Sequence, residues 1–320
     1  MKDKCFLVLV LSVFLTGIAF ADDPFIGEYE GQICDSPVKA CVVAREGSRY
    51  DITIFSLDNS LVPGGIELTS AVFGGNLYIM GTSAGRNWTG SIVKGKMKLT
   101  ANYYSINGEL EKIERESPTL GLQPPKDAIV LLPYQPGKKS SLEKWTNKDW
   151  TLLDDGSVQV KPGKGTNTTL KEFSSVKLHL EFNLPLEPHN AGQKRANSGV
   201  FFNKGSYEVQ ILDSFGLIPS NGDCGSIYSI KPPMVNASLP PQRWQTYDIT
   251  FIAPETDKDG KITKKPRITV LHNGILIHDD VEIPRSTINP DFEQKTAGPI
   301  SLQDHSNPVK FRNIWAVELD

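Results

Sequence analysis

Two neighbouring stretches decide the fold: Asn197-Ser-Gly-Val-Phe-Phe-Asn203 and Tyr207-Glu-Val-Gln-Ile-Leu-Asp213. Both are short and rich in aromatic and β-branched residues, a composition typical of β-strands. Alternate residues of a strand share a face, so Glu208 and Gln210 point to one side and the apolar residues between and after them to the other. The second stretch therefore predicts a strand with one apolar face and one face that carries a carboxyl and an amide.

The same pattern extends outward in both directions. Runs rich in Val, Ile, Tyr, Phe and Thr are separated by Gly, Pro, Asn and Asp, as at residues 50–55, 176–182 and 246–252. No long stretch keeps an apolar period of about 3.6 residues, which argues against long helices. The chain is therefore predicted to be all-β.

The length of 320 residues exceeds the usual size of one domain. Residues 22–116 hold many glycines between short strands and predict a small antiparallel β domain. Residues 117–127 contain three prolines in a polar stretch, which opposes helix and sheet alike, so they are predicted to be the interdomain linker. Residues 128–320 show strands at sandwich-like spacing, with polar, proline-bearing insertions at 185–196 and 232–242 that are typical of loops around a site.

The first 21 residues predict a cleaved signal peptide. Lys2 and Lys4 precede an apolar run from Phe6 to Phe20, and Ala19-Phe-Ala21 gives a small-x-small cleavage pattern. A membrane anchor is the alternative, but the run is shorter than the roughly 20 residues that a spanning helix needs. No second long apolar run follows. We therefore expect a secreted or periplasmic protein whose mature chain has no membrane span.

The net charge and the cysteine content limit the binding partners, disulfide bonds and metal sites that can be expected. The formal net charge is −3, which gives no electrostatic reason to expect nucleic acid as a partner. Cys34 and Cys41 are close enough in sequence to close a small disulfide loop, and Cys224 would then be a free, buried thiol. No Cys-x-x-Cys pair and no nucleotide-binding fingerprint occurs, so no metal and no cofactor is predicted.

Glu208 and Asp213 are the first candidates for catalysis. Ideal alternation places Asp213 on the apolar face, but a β-bulge near Leu212 would return it to the face of Glu208. The spacing Glu-x-Gln-x-x-Asp is similar to the Glu-x-Asp-x-x-Glu strand of retaining glucanases, in which two carboxylates on one concave face share the chemistry. The alternative is an exposed strand face that only carries polar residues.

A second candidate segment is Gly298-Pro-Ile-Ser-Leu-Gln-Asp-His305. Alternation puts Ser301, Gln303 and His305 on one strand face, with the apolar residues between them turned to the core. Together with Arg312 on the last strand, they form a polar face that suits sugar hydroxyls, and a His can move protons near neutral pH. The alternative is a hydrogen-bonded rim that ties the last strands together.

These segments carry a resemblance to the 3-keto-disaccharide hydrolase family over residues 128–320. The matching motifs occur in order: Asn197-Ser-Gly-Val-Phe-Phe, Tyr207-Glu-Val-Gln-Ile-Leu-Asp, Gly225-Ser-Ile-Tyr228, the strand of Trp244, His272-Asn-Gly-Ile275, Gly298-Pro-Ile-x-Leu-Gln-Asp-His305 and Phe311-Arg-Asn-Ile314. The resemblance implies a concanavalin/glucanase-like jelly-roll sandwich. Residues 22–116 resemble the β-rich module that often precedes this domain in secreted bacterial proteins.

Three positions depart from the family pattern. Leu131-Leu-Pro-Tyr134 stands where the family commonly has Leu-Phe-Asp-Gly, and Asn203 stands where it often has Arg. The family's Glu-Trp-Arg strand end reads Glu181-Phe-Asn183, which retains the Glu. The fold should survive these changes, whereas substrate affinity and activity are the properties at stake.

The resemblance implies cleavage of a glycoside that carries a keto group at C3. The keto group acidifies the hydrogen on C2, so that a base can remove it while an acid protonates the departing oxygen. We assign Glu208 as the base and Asp213 or His305 as the acid, all three converging in one hollow. The predicted substrate-binding residues are Glu181, Asn197, Gln210, Gln303 and Arg312.

Two other functions are compatible with the same fold. The sandwich could be a non-catalytic carbohydrate-binding module, because this architecture hosts lectins as well as glucanases. It could also be a structural envelope protein with residues 22–116 as its docking element. Retention of Glu208, Asp213 and His305 favours the enzyme, and the departures at Asn183 and Asn203 favour the binder.

Overall fold

The computed structural model describes residues 23–57, 65–102, 105–259, 261–288 and 295–319. In these ranges the chain is built from strands with one short 3-10 helix at Gly192–Lys194. The all-β prediction, with a small antiparallel β domain before a jelly-roll sandwich, is confirmed. The predicted signal peptide, residues 1–21, lies outside the described residues.

Eight antiparallel strands close into a barrel, because the first strand pairs with the eighth. They are β1 (Gly27–Ile33), β2 (Ser36–Arg45), β3 (Arg49–Ser56), β4 (Ile66–Phe73), β5 (Asn76–Ser83), β6 (Arg86–Val93), β7 (Lys96–Ala101) and β8 (Ile106–Ile113). Apolar residues alternate inward, as in β4, where Ile66 and Leu68 are buried and Glu67 between them is exposed. Closure leaves no free sheet edge in the barrel.

Two-residue turns set the order of the middle strands. Gly74-Gly75 joins β4 to β5, and Ala84-Gly85 and Lys94-Gly95 make the next two connections, all with positive φ at both positions. Two-residue turns of this kind match the right-handed twist of the strands that they join. The chain therefore runs up and down around the barrel.

The second part is a sandwich of a large and a small sheet. The large sheet has the order β10-β11-β22-β13-β16-β19-β20, with β9 paired to β22, and the small sheet has the order β12-β21-β14-β15. The strands are β9 (Ile129–Leu132), β10 (Thr151–Leu152), β11 (Val158–Gln159), β12 (Asn167–Phe173), β13 (Val176–Asn183), β14 (Ser198–Phe202), β15 (Tyr207–Ile211), β16 (Trp244–Ile252), β17 (Glu255–Thr256), β18 (Ile262–Lys264), β19 (Arg267–His272), β20 (Ile275–Glu282), β21 (Gly298–Leu302) and β22 (Lys310–Glu318). Strands β17 and β18 form a separate hairpin.

The apolar core fills the space between the two sheets. Phe202 of the small sheet stacks on Phe251 of the large sheet with ring centroids 4.7 Å apart. Val209 and Ile211 of β15 also belong to this core, as do Ile300 and Leu302 of β21. The apolar faces expected for these two strands are therefore confirmed, and their polar residues face away from the core.

Arg115 joins the barrel to the sandwich. Its guanidinium binds both oxygens of Glu28 on β1 at 3.0 Å and also donates to the carbonyl oxygens of Ala237 and Ser238 in the sandwich. Glu28 is buried and has Lys39 as a second cationic partner. Glu28 therefore has two cationic partners, and the Arg115 guanidinium also binds the sandwich. These charge-assisted hydrogen bonds stabilise the contact between barrel and sandwich.

The proline-rich segment packs on the outer face of the large sheet. Thr119 donates to Asp248, the N–H of Gly121 donates to Glu181, and the carbonyl of Leu122 accepts from Asn313. The segment thus hydrogen-bonds to side chains of the sheet instead of pairing as a strand. This fits its prolines, which cannot donate a hydrogen bond to a neighbouring strand.

The three described cysteines are free, so the expected Cys34–Cys41 disulfide is wrong. Cys34 lies in the turn after β1, whereas Cys41 lies within β2, about 16 Å further along the strand from its start. A disulfide requires Cα atoms within about 7 Å. Cys224 is a buried free thiol, as expected. No helix in the described ranges has the length and apolar character needed to cross a membrane.

Candidate functional site

The outward face of the small sheet holds Glu208 and Gln210 on β15. Directly across, β14 presents Phe201 opposite Glu208 and Gly199 opposite Gln210. The N–H of Gln303, just beyond β21, donates to the carbonyl of Gly199. The register therefore places one carboxyl and two amide side chains on one sheet face, as alternation along these strands predicts.

Glu208 is buried without a charged partner. It is 4% exposed, and no hydrogen bond to its carboxyl is formed by any described residue. Burial alone raises the pKa of Glu208 to about 8. A carboxyl with this pKa is mostly protonated at neutral pH and can both give and take a proton near it.

Gly199 makes room for the Glu208 carboxyl. A Cβ atom at position 199 would fall less than 3.0 Å from Oε1 of Glu208, closer than real Cβ contacts allow. The φ angle of Gly199 is not in the left-handed region, so the absence of a side chain, and not backbone freedom, is what this position provides. The glycine that ends Asn197-Ser-Gly199 is thus explained by the carboxyl on the next strand.

Gln193 connects the amides around this face. Its side-chain oxygen accepts from Nε2 of Gln210 and from Nδ2 of Asn197, both at 3.1 Å, and its own Nε2 donates to the carbonyl of Gly222. Gln193 belongs to the short 3-10 helix in the insertion at 185–196, which was expected to lie at the rim of a site. The alternation pattern of the strands does not identify Gln193 as a site residue. Its only indication in the sequence is that it belongs to this insertion.

Two amide oxygens near this face have no partner among the described residues. Oδ1 of Asn197 and Oε1 of Gln303 are buried and accept no hydrogen bond from them. A buried acceptor without a donor is costly, so such groups are rare unless a bound molecule supplies the donor. Hydroxyl groups are donors of this kind.

Asp213 does not join Glu208. Strand β15 ends at Ile211, and Asp213 is buried against Arg195, whose Nε donates to it at 2.6 Å. Burial raises the pKa of Asp213, and the Arg195 guanidinium opposes that shift. Arg195 also donates to the carbonyl of Ala44 in the barrel, so this ion pair lies where barrel and sandwich meet. The bulge expected near Leu212 does not place Asp213 on the face of Glu208.

His305 does not lie on the strand face with Ser301 and Gln303. Strand β21 ends at Leu302, and the chain bends at His305, which is exposed and makes no hydrogen bond with described residues. Ser301 contacts Thr168 at 3.0 Å. The expected convergence of Glu208, Asp213 and His305 is therefore not observed.

Glu181 and Arg312 lie on the opposite side of the sandwich from Glu208. Leu180 and Phe182 of β13 face the core, so Glu181 between them faces outward from the large sheet, beneath residues 117–122. Nε of Arg312 donates to it at 2.6 Å. Glu181 was predicted to bind substrate with Asn197 and Gln210, but it lies on the other sheet, which its own strand pattern does not reveal.

The Glu181 cluster is a closed structural network. The Arg312 guanidinium lies between the rings of Tyr134, at 4.3 Å, and Trp244, at 4.0 Å. Asn313 has a φ of 47°, and this local irregularity turns it to the same side as Arg312, so that its Nδ2 also donates to Glu181. Simple strand alternation would put Arg312 and Asn313 on opposite faces, and the structure departs from it here.

Electrostatics keep Glu181 ionised. Burial opposes ionisation, but His179, Asn313, Arg312 and the N–H of Gly121 outweigh it and lower the pKa of Glu181 to about 2. Burial also disfavours the charged form of His179, yet its interactions with Asp248 and Glu181 raise its pKa. The charges of these groups therefore compensate one another within the cluster.

A family model described as the 3-keto-alpha-glucoside-1,2-lyase-like domain matches residues 128–317, which is more than half of the chain. A crystal structure from Parabacteroides distasonis ATCC 8503, described as a candidate glycosyl hydrolase, is similar with 35% identity and a TM-score of 0.55, over 61% of this chain and 84% of that one. A second such protein of the same organism is 19% identical with a TM-score of 0.42, over 57% of this chain and 92% of that one. Comparison with curated proteins gave no match. The chain belongs to the 3-keto-alpha-glucoside-1,2-lyase-like family.

Proposed function

We propose that this protein cleaves glycosides that carry a keto group at C3, with Glu208 as the group that moves the proton. Family membership and the relative described as a candidate glycosyl hydrolase support an enzyme that acts on glycosides. The observation that carries the proposal is the buried Glu208 carboxyl with its pKa of about 8, set among amides on one sheet face.

The keto group makes the chemistry accessible to one carboxylate. The ionised Glu208 removes the proton from C2, the electron pair forms the C1–C2 double bond, and the bond from C1 to the glycosidic oxygen breaks. The leaving oxygen takes the proton from Glu208. Water then adds across the double bond, hydroxyl to C1 and proton to C2, which completes a net hydrolysis. A base with a pKa of about 8 is stronger than an ordinary carboxylate and is better matched to a carbon acid.

The amides around Glu208 are proposed to bind the sugar. Asn197 and Gln303 each offer a buried oxygen without a donor, and Gln210 is held by Gln193. Sugar hydroxyls and the C3 carbonyl need such neutral donors and acceptors. Their orientation fixes which hydrogen of the sugar ring faces the carboxyl.

The roles first assigned to the other charged residues change. Asp213 is ion-paired with Arg195, and His305 is exposed beyond the strand, so we assign the acid step to Glu208 itself. Glu181 and Arg312 hold residues 117–122 on the other side of the sandwich and have no part in substrate binding in this proposal.

A non-catalytic sugar-binding module is the second candidate. No charged group contributes to the raised pKa of Glu208, which burial alone causes, and this favours the binding module, because amides alone bind hydroxyls without chemistry. For either function we propose export, with residues 1–21 as the signal peptide and a secreted or periplasmic location.

Incubation of the purified protein with a panel of 3-keto-disaccharides and their unoxidised parents distinguishes the two functions. We expect release of reducing sugar from the oxidised substrates only, and loss of that release in Glu208→Gln. Binding of the same sugars without turnover would establish the binding module instead.

A further inference from the structure

A cleft lies between the outer face of the barrel and a loop of the sandwich, and Glu208 is not among the residues that line it. Its volume is about 790 Å³. Strands β3, β4 and β5 form one wall, and residues Pro188, His189, Asn190 and Ala191 form the other. None of these residues takes part in the chemistry proposed above.

An apolar strip runs along the barrel wall. Tyr78 and Met80 alternate outward on β5 and are 45% and 64% exposed, and Phe73 at the end of β4 is 78% exposed. Ala71 lies directly across from Tyr78, so one side of the ring has only a small neighbour. Exposed aromatic and sulfur-bearing side chains that line up in this way are uncommon on a surface without a partner.

A polar strip runs beside it on the next strand. Arg49 is paired with Ala71 and Asp51 with Thr69, so the charged side chains of β3 flank the apolar ones in register. Nε of Arg45 contacts Asp51 at 2.5 Å, which orients both groups. A flat apolar surface edged by bidentate donors and acceptors matches a sugar ring, which has C–H faces and a rim of hydroxyls.

The loop opposite connects this cleft to the amides near Glu208. One carboxylate oxygen of Glu187 accepts from Asn190, Ala196 and Asn307, which fixes the loop at both ends. Residues 188–191 of that loop line the cleft, and Gln193, two residues further, binds Gln210 and Asn197. The same rigid loop therefore contributes to both surfaces.

We propose that this cleft binds an oligosaccharide chain, with Phe73 and Tyr78 stacking on sugar rings and Arg49 and Asp51 binding hydroxyls. It deepens the proposed function, on which it rests for the class of ligand, since it makes the natural substrate a longer glycan than a disaccharide. The barrel then has a role of its own, which is to hold the glycan while the sandwich acts on it.

Binding to immobilised gluco-, galacto-, manno- and xylo-hexasaccharides and to the matching monosaccharides tests this proposal. We expect the full protein to bind at least one hexasaccharide, and a Phe73→Ala/Tyr78→Ala variant to bind it about tenfold more weakly. Val93→Ala, which removes an exposed apolar side chain from the barrel outside the cleft, is the matched control and should bind as the unaltered protein does. Unchanged melting temperatures show that the variants are folded.

Two results would overturn the glycan cleft: no binding to any hexasaccharide, or equal binding by the double variant. Cleavage of a 3-keto-disaccharide tests the proposed function separately. The double variant should keep that cleavage, while Glu208→Gln should lose it and still bind the hexasaccharide. If the protein binds glycans through Phe73 and Tyr78 but cleaves no keto-sugar, the glycan cleft is supported and the proposed enzymatic function is wrong.

Discussion

The Glu208 carboxyl occupies the space that a Cβ atom on residue 199 would take. Glu208 and Gly199 lie on adjacent strands, and the backbone of Gly199 is in a conformation open to any residue. A side chain at this position would therefore leave the strand in place and displace the carboxyl. A substitution at residue 199 therefore moves the proposed base without disrupting the sheet.

Gly199→Ala should impair catalysis without unfolding the protein. Displacing the carboxyl by an ångström is expected to lower kcat/KM on a 3-keto-disaccharide by about 100-fold. Gly81→Ala is a suitable control, because it also adds a methyl group to a strand, next to the flexible Leu68 side chain in the barrel. Full activity of Gly199→Ala with a normal melting temperature would show that the carboxyl's position is not important.

The pH profile of activity should follow Glu208. The base acts as a carboxylate, so kcat/KM should rise with pH and level off above about 8, where burial places the pKa of Glu208. The rising limb should be missing from whatever residual activity Glu208→Gln retains. A profile that instead falls through pH 8 would identify the protonated carboxyl as the active form.

Stability should respond to the same carboxyl. The folded-state pKa of about 8 is above the ordinary value of 4.5, so folding favours the protonated form. Its contribution is fully present below pH 4.5 and is lost as the pH rises through 8. Glu208→Gln, which stays neutral, should therefore gain stability relative to the unaltered protein between pH 5 and pH 9 in urea unfolding. Equal pH dependence of the two proteins would contradict the burial of an unpaired carboxyl.

The Glu181 network should show the opposite dependence. The pKa of Glu181 is lowered to about 2, so its stabilisation is present above pH 4.5 and is lost as the pH falls towards 2. Glu181→Gln is expected to lower the free energy of unfolding by about 3 kcal/mol at pH 7, because Arg312 loses its buried partner, and by much less at pH 3. Glu172→Gln, at an exposed pair with Lys204, is the control and should change little.

Arg115 should couple the unfolding of barrel and sandwich. Arg115→Leu removes the bonds to Glu28 and to the carbonyls of Ala237 and Ser238, so calorimetry should resolve two transitions in place of one. Arg267→Leu, which removes exposed ion pairs with Asp280 and Glu282 inside the sandwich, is the control and should keep the unaltered profile. An unchanged single transition in Arg115→Leu would mean that other contacts hold the two parts together.

The sequence was informative wherever a rule is local. Strict alternation correctly placed Glu208 and Gln210 on one face of β15 and its apolar residues in the core, because a strand's period does not depend on its partners. The predicted run at 176–182 likewise lies within Val176–Asn183 of the structure.

The sequence did not reveal which of the two sheets each strand joins, and the positions of several site residues depend on that. Glu181 and Glu208 both lie on outward faces, but of different sheets, and nothing in either strand distinguishes the two positions. Gln193 reaches the Glu208 face from a loop, and Asp213 is captured by Arg195, a contact that no spacing rule anticipates. The same holds for Asn313, whose side is set by a local irregularity in β22.

The central claim, that Glu208 removes the C2 proton, is tested most directly by NMR of a 3-keto-α-glucoside incubated with the protein in D₂O. We predict that the released keto-sugar carries deuterium at C2 with the unaltered protein, and that Glu208→Gln gives neither cleavage nor exchange above the enzyme-free rate. Deuterium incorporation and cleavage at the full rate in Glu208→Gln, or cleavage by the unaltered protein with the original hydrogen kept at C2, would contradict it.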